Sequence, residues 1–217
     1  MSSAKDVTRI AGRQRTSCVT QRECNVIKLE RIGHVYLSVA DQEVSKRFYR
    51  DVLGFTIAEE DLVHGGVFMT LGDNFHTLDI GQTPNPEEDR HPDKAGHPDR
   101  DRIGLGHLAF QVGSYAALRD AYIHLQSHGV PIKVALNHVN QRSLYFADPD
   151  GNTLEIYFEV PHALELFPNG RDDTDEALPL SKPGEPLPDW LLEDWPSPEL
   201  KARIERIARQ KKQSVVA

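Results

Sequence analysis

The sequence predicts an α+β protein in which two βαβββ repeats build one half-open β-barrel with the helices outside. Three observations lead there. "IGHVYLSVADQEVSKRFYRDVLGF" (32–55) and "LGHLAFQVGSYAALRDAYIHLQSHGVPI" (105–132) each carry Gly-His at the start, alternate, turn, run through a helical pattern and reach a glycine, Gly54 or Gly129. "GDNFHTLDI" in the first unit is echoed by "DGNTLEIYF" in the second. One such unit leaves its sheet uncovered, so a duplicated pair sharing a core is the stable arrangement.

In chain order, residues 1–30 form an N-terminal extension, and the core domain spans 31–159. Repeat one (31–80) opens with a strand at His34. A helix follows, on which Val44, Phe48, Tyr49 and Val52 recur at helical spacing, and about three strands close the unit. Residues 81–103, "GQTPNPEEDRHPDKAGHPDRDRI", are rich in Pro, Asp and charge and read as an exposed linker. His91 and His97 within it each precede a proline in a polar stretch, which argues against a metal tract. Repeat two (104–159) repeats the scheme with Ala117, Leu118, Ala121, Tyr122 and Leu125 on its helix. It ends in a hairpin, "QRSLYFADPDGNTLEIYFE", around an Asp-Pro-Asp-Gly turn. The C-terminal extension (160–217) holds Pro-rich coil, an apolar patch at "DWLLEDW", and a helix from Pro198 capped by Ser197.

Charge narrows the classes of function. A formal net charge of −8 argues against a general nucleic-acid or anionic-membrane binder. The leader is locally basic (Lys5, Arg9, Arg13, Arg15, Arg22, Lys28) and reads as a solvated or partner-contacting tail. No apolar run has the length of a membrane span or a signal-peptide core. Cys18 and Cys24 are too few for a disulfide scaffold, and a cytoplasmic protein is expected.

Strand alternation sorts the side chains. His34, Tyr36 and Ser38 share one face; so do His107, Ala109 and Gln111, and likewise Thr153, Glu155 and Tyr157. The opposite faces are apolar enough to lie under helices. A carboxylate between Leu154 and Ile156 is costly without a partner, and the two histidines hold equivalent positions in the two repeats. Two imidazoles and one carboxylate, with coordination positions left open, are the facial triad suited to non-haem Fe(II). His34, His107 and Glu155 are therefore the expected metal ligands.

With these residues in place the chain resembles the vicinal oxygen chelate superfamily, built from paired βαβββ units. Its members include extradiol dioxygenases, glyoxalase I, epimerases, fosfomycin-resistance enzymes and metal-free bleomycin-binding proteins. "HVYLSVADQEVSKRFYRDVLGF" and "LYFADPDGNTLEIYFE" carry the resemblance over residues 31–159 without choosing among activities. "FMTLGDNFHTLDIG" resembles the extradiol segment with an active-site His before Thr, here His76. "NHVNQRSLYF" resembles their His-x-Asn stretch leading to a pocket Tyr, here His138, Asn140 and Tyr145. The loop from His138 to Tyr145 is shorter than in the larger two-domain enzymes, so the resemblance is to compact one-domain extradiol dioxygenases.

That resemblance implies Fe(II), with Mn(II) as an alternative, and O₂-dependent meta cleavage of a catechol-type diol. It makes His76 the base or proton shuttle, has His138 and Tyr145 hydrogen-bond the substrate oxygens, and gives Asn140 a substrate contact. A homodimer is the expected assembly. Two alternatives stay open. Asp79 holds in repeat one the place of Glu155 in repeat two, so His34, Asp79, His107 and Glu155 could form a glyoxalase I-like isomerase site. His76 and Asp79, three apart on a regular strand, would point to opposite faces, so one of the two is expected in the cleft. A metal-free protein that sequesters a small molecule is the alternative of another class.

Overall fold

Each repeat folds around a parallel pair of strands. The computed structural model describes residues 30–72, 74–87, 105–171 and 175–216. The leader's cations, Cys18, Cys24, His91 and His97 lie outside the described residues, as does the linker after residue 87. The chain divides into Met1–Ile32 and Gly33–Ala217, and the second unit carries the strands and helices of both repeats.

In repeat one, β1 (Val35–Val39) leads into α1 (Gln42–Arg47), then β2 (Thr56–Asp61), β3 (Gly66–Thr70) and β4 (Leu78–Gln82). The sheet order is β1-β4-β3-β2, with β1 and β4 parallel. Repeat two follows with β5 (Leu108–Gln111), α2 (Tyr115–Ser127), β6 (Val134–Asn137), β7 (Gln141–Ala147) and β8 (Thr153–Glu159). Its order begins β5-β8-β7-β6, the same scheme, with β5 and β8 parallel. Beyond the repeats come α3 (Ala163–Leu166), β9 (Glu176–Leu178), α4 (Asp189–Leu192) and α5 (Pro198–Val216). β9 adds a fifth strand to the second sheet, on β6, which the sequence did not announce.

Local chemistry sets the helix ends. The Asp41 carboxylate accepts from Val44 N at 3.0 Å, and Ser114 Oγ accepts from Ala117 N at 3.1 Å, so each helix opens on a side-chain cap. Gly54 (φ 76) and Gly129 (φ 68) close the helical segments in the left-handed region. α1 runs on as a π-helical turn over Phe48–Val52, which rotates its inner face. Ser45, Lys46 and Tyr49 are buried there, and Val44, expected on the inner stripe, is exposed.

The repeats share one core. Tyr49, Phe55, Met69, Leu78 and Ile80 from the first join Leu118, Tyr122, Leu144, Phe146 and Leu154 from the second. Each large apolar side chain so buried contributes roughly 1.5–3 kcal/mol. Repeat one's helix reaches the Asp-Pro-Asp-Gly turn of repeat two. Tyr49 donates its hydroxyl to Asp148 Oδ2 at 2.9 Å, Ser45 Oγ to Asp150 Oδ2 at 3.0 Å, and Ala40 N to Asp150 Oδ1 at 2.9 Å. That turn is thus the polar joint between the repeats as well as a hairpin. No described helix is long and apolar enough to cross a membrane.

Candidate metal centre

Register places the donor groups. Across β1–β4 Tyr36 pairs with Asp79, and across β5–β8 Ala109 pairs with Glu155. His34 and His107 each stand two residues before those positions, on the same face as the carboxylate. The two repeats therefore offer the same histidine–carboxylate pair twice. His107 Nε2 lies 3.0 Å from Glu155 Oε2, and His34 Nε2 lies 3.5 Å from Asp79 Oδ2.

Glu155 is 3% exposed, and its surroundings explain why a carboxylate is tolerated there. Its Oε1 accepts from the Tyr145 hydroxyl at 2.9 Å and from Gln141 Nε2 at 3.3 Å. Tyr145 faces Glu155 because the two are register partners across β7–β8. Burial first, and then the Glu155 charge, push the Tyr145 phenol well above its ordinary range, so it stays a protonated donor at neutral pH. His138 Nε2 lies 3.4 Å from that phenol oxygen, and its Nδ1 lies 2.6 Å from Asp175 Oδ1. Asn140 sits apart from this chain: its amide donates to Glu159 Oε1 at 2.9 Å and accepts from Arg171 Nη1 at 3.3 Å.

His76 joins His34 and Asp79. Its Nε2 lies 3.1 Å from His34 Nδ1, and its Nδ1 lies 3.9 Å from Asp79 Oδ1. His76 and Asp79 thus meet at one point, contrary to the expectation that only one enters the cleft. The reason is local: β4 begins at Leu78, so His76 lies before the regular strand and alternation does not govern it. Phe68, the register partner of Asp79, stacks on His76 at 5.4 Å.

The donors fit a metal. Among the described residues His34, His76 and Asp79 each bring one ligand atom to within 4.8 Å of the other two. His76 Nδ1 and Asp79 Oδ1 are buried with no hydrogen-bond partner there, each a cost of about 1–3 kcal/mol. Mixed imidazole and carboxylate donors of this kind suit iron and manganese. The expected ligands fall into two sets: His107 with Glu155, and His34 with Asp79 and His76. The sequence reading missed Asp175, which contacts His138 from across the chain, and Arg142, buried on the helix-facing side of β7. Arg142 carried a signal, since it alternates in phase with Leu144 and Phe146.

The chain resembles proteins already known. The chain is 30% identical over 143 residues to biphenyl-2,3-diol 1,2-dioxygenase 2 of Rhodococcus globerulus, covering 64% of this chain and 70% of that protein. It is 27% identical over 153 residues to biphenyl-2,3-diol 1,2-dioxygenase 3 of the same organism, covering 68% and 75%. A crystal structure of a glyoxylase/bleomycin resistance protein/dioxygenase domain from Frankia sp. EAN1pec superposes with TM-score 0.52 at 22% identity, over 61% of this chain and all of that one, a likeness of fold. The family model matches residues 31–156, the stretch that holds both repeats, and the chain accordingly belongs to the glyoxalase/bleomycin resistance protein/dioxygenase superfamily.

Proposed function

We propose that the protein is an Fe(II)-dependent extradiol dioxygenase that opens a catechol-type ring with O₂, its metal held by His34, His107 and Glu155. One observation carries this reading: the Tyr145 phenol bridges Glu155 Oε1 and His138 Nε2, at 2.9 and 3.4 Å. A metal ligand tied to a phenol that also reaches an imidazole supplies a hydrogen-bond donor, the phenol, where a diol's oxygens would sit. The dioxygenase names of the Rhodococcus relatives point the same way.

When bound, the metal would polarise the diol oxygens and favour their ionised form. The chain's own groups do the rest. The Tyr145 phenol, protonated at working pH, donates to a substrate oxygen, and His138 Nε2 faces the same point. His76, wedged between His34 and Phe68, is placed to take a proton from the diol and return it as the ring opens. Phe68 and Phe75 flank its ring at 5.4 and 5.9 Å.

The test is anaerobic loading with Fe(II), then simple catechols in air. A yellow ring-fission product with one O₂ consumed per diol supports the reading. Manganese in place of iron would change the metal but not the reaction. A second reading rests on Asp79, which stands 3.5 Å from His34 at the place equivalent to Glu155. In that reading four ligands, His34, Asp79, His107 and Glu155, hold the metal of a glyoxalase I-like isomerase. Turnover of methylglyoxal with glutathione and no O₂ uptake would establish it. Purified protein that takes up no divalent metal would reject both in favour of a binding protein.

A further inference from the structure

The C-terminal extension is sewn onto the rim of the candidate site. β9 pairs antiparallel with β6, matching Leu178 to Ala135, Ala177 to Leu136 and Glu176 to Asn137. Carried one step further, that register sets Asp175 opposite His138, and the side chains meet at 2.6 Å. Two more bonds fix the same edge: Asn137 Nδ2 donates to Glu176 Oε2 at 3.2 Å, and Arg171 Nη1 donates to the His138 carbonyl at 2.9 Å. None of these acceptors and donors beyond residue 156 belongs to the stretch matched by the family.

We infer that Asp175 is a positioning residue that sets the His138 tautomer for catalysis, an inference that rests on the proposed ring-cleavage reading. A carboxylate only accepts, so the proton of the neutral ring is drawn to Nδ1. Nε2 is left unprotonated and aimed at the Tyr145 phenol. Tyr145 then has two acceptors for its one proton, Glu155 Oε1 and His138 Nε2. The opposite tautomer would set an N–H against that phenol and remove the second acceptor. His138 is 7% exposed, so little water reaches it to substitute for Asp175.

The experiment has two arms on the full chain. In metal-free, ¹⁵N-labelled protein, the His138 ring, assigned with a His138→Gln variant, is read by long-range ¹H–¹⁵N correlation at a pH where its spectrum no longer changes. The wild type shows the Nδ1–H tautomer. Asp175→Ala shifts the ring toward the Nε2–H form that free histidine favours, and Asp175→Glu restores it. In the Fe(II)-loaded protein, Asp175→Ala lowers kcat for catechol cleavage about 10- to 100-fold and moves KM by less than about twofold. An unchanged tautomer in Asp175→Ala overturns the inference, as does a changed tautomer with unchanged kcat. If the tautomer responds but the wild type cleaves no catechol, Asp175 still governs His138 and it is the ring-cleavage reading that fails.

Discussion

Tyr145 donates its hydroxyl to Glu155 Oε1 at 2.9 Å, directly across the β7–β8 ladder, and Phe68 holds the corresponding place opposite Asp79. The duplicated scaffold is therefore symmetric in its carboxylates and asymmetric in what faces them. Only the second repeat gives its carboxylate a hydroxyl partner at that position. The proposed ring cleavage depends on that difference.

Tyr145→Phe removes the donor and keeps the ring that packs edge-on against His107 at 5.6 Å. Glu155 Oε1 keeps only the longer bond from Gln141. The expected result is a fall in kcat of about 10²–10³-fold, as for loss of a preorganised donor. Stability should fall by about 1–3 kcal/mol for the under-satisfied carboxylate. Steady-state ring cleavage and a thermal melt measure both. An undiminished kcat would remove Tyr145 from the mechanism.

The two carboxylates separate the two metal readings. With the metal at a hundredfold its Kd, binding stabilises the fold by about 2.7 kcal/mol, which raises Tm by roughly 5–10 °C in a domain of this size. Glu155→Gln should abolish that increment and all ring cleavage. Asp79→Asn should keep most of the increment and leave kcat within about tenfold, because a dioxygenase triad does not use Asp79. Loss of the increment in both variants would favour the four-ligand isomerase.

The positions of His34 and His107 at the heads of β1 and β5 were legible because duplication writes the same pattern twice and alternation orients it. The equivalence of Asp79 and Glu155 was legible for the same reason, whereas the parallel pairing of each carboxylate's strand with its own repeat's histidine strand was not. That His76 and Asp79 meet was not legible, because the Thr-Leu after His76 reads as strand while the ladder begins at Leu78. Asp175 was invisible: its contact with His138 spans 37 residues and is set by a three-residue strand with no period of its own. Val44 was expected inward, but the π-helical turn at Phe48 shifts the face that periodicity would bury.

Tyr49 gives the fold an alkaline limit. Burial first, and then the charge of Asp148, hold its ionisation far above the ordinary 10.0. Unfolded, the phenol ionises near 10, so the folded state binds its proton more tightly. That contribution is fully present below pH 10 and is lost as pH rises beyond it. Urea unfolding should show stability falling above about pH 10, with phenolate absorbance from Tyr49 appearing only on unfolding. Tyr49→Phe should cost about 1–2 kcal/mol at neutral pH and make the alkaline decline shallower. An unchanged decline would assign it to other groups.

Arg142 ties the C-terminal extension to the second repeat. The guanidinium is 6% exposed, and its Nη1 donates to the Trp190 carbonyl and to Glu193 Oε1, both at 2.9 Å. Its centre lies 5.0 to 5.8 Å from the rings of Tyr115, Trp190 and Trp195, which fence it from α2 and from the 190–195 segment. Charged hydrogen bonds together with cation–π contacts make its removal cost roughly 3 kcal/mol. Arg142→Met keeps the stem and loses the planar fork, and Arg142→Lys should recover little, because a point charge cannot serve carbonyl, carboxylate and three rings together. Both variants should melt lower and be cut by protease first within 179–197, the stretch that holds Trp190 and Trp195. Since that stretch follows β9, its release should also loosen Asp175 from His138, and the Nδ1–H signal of the His138 ring should weaken in Arg142→Met. If the tail stays protected and the ring signal is unchanged, Arg142 does not anchor the extension.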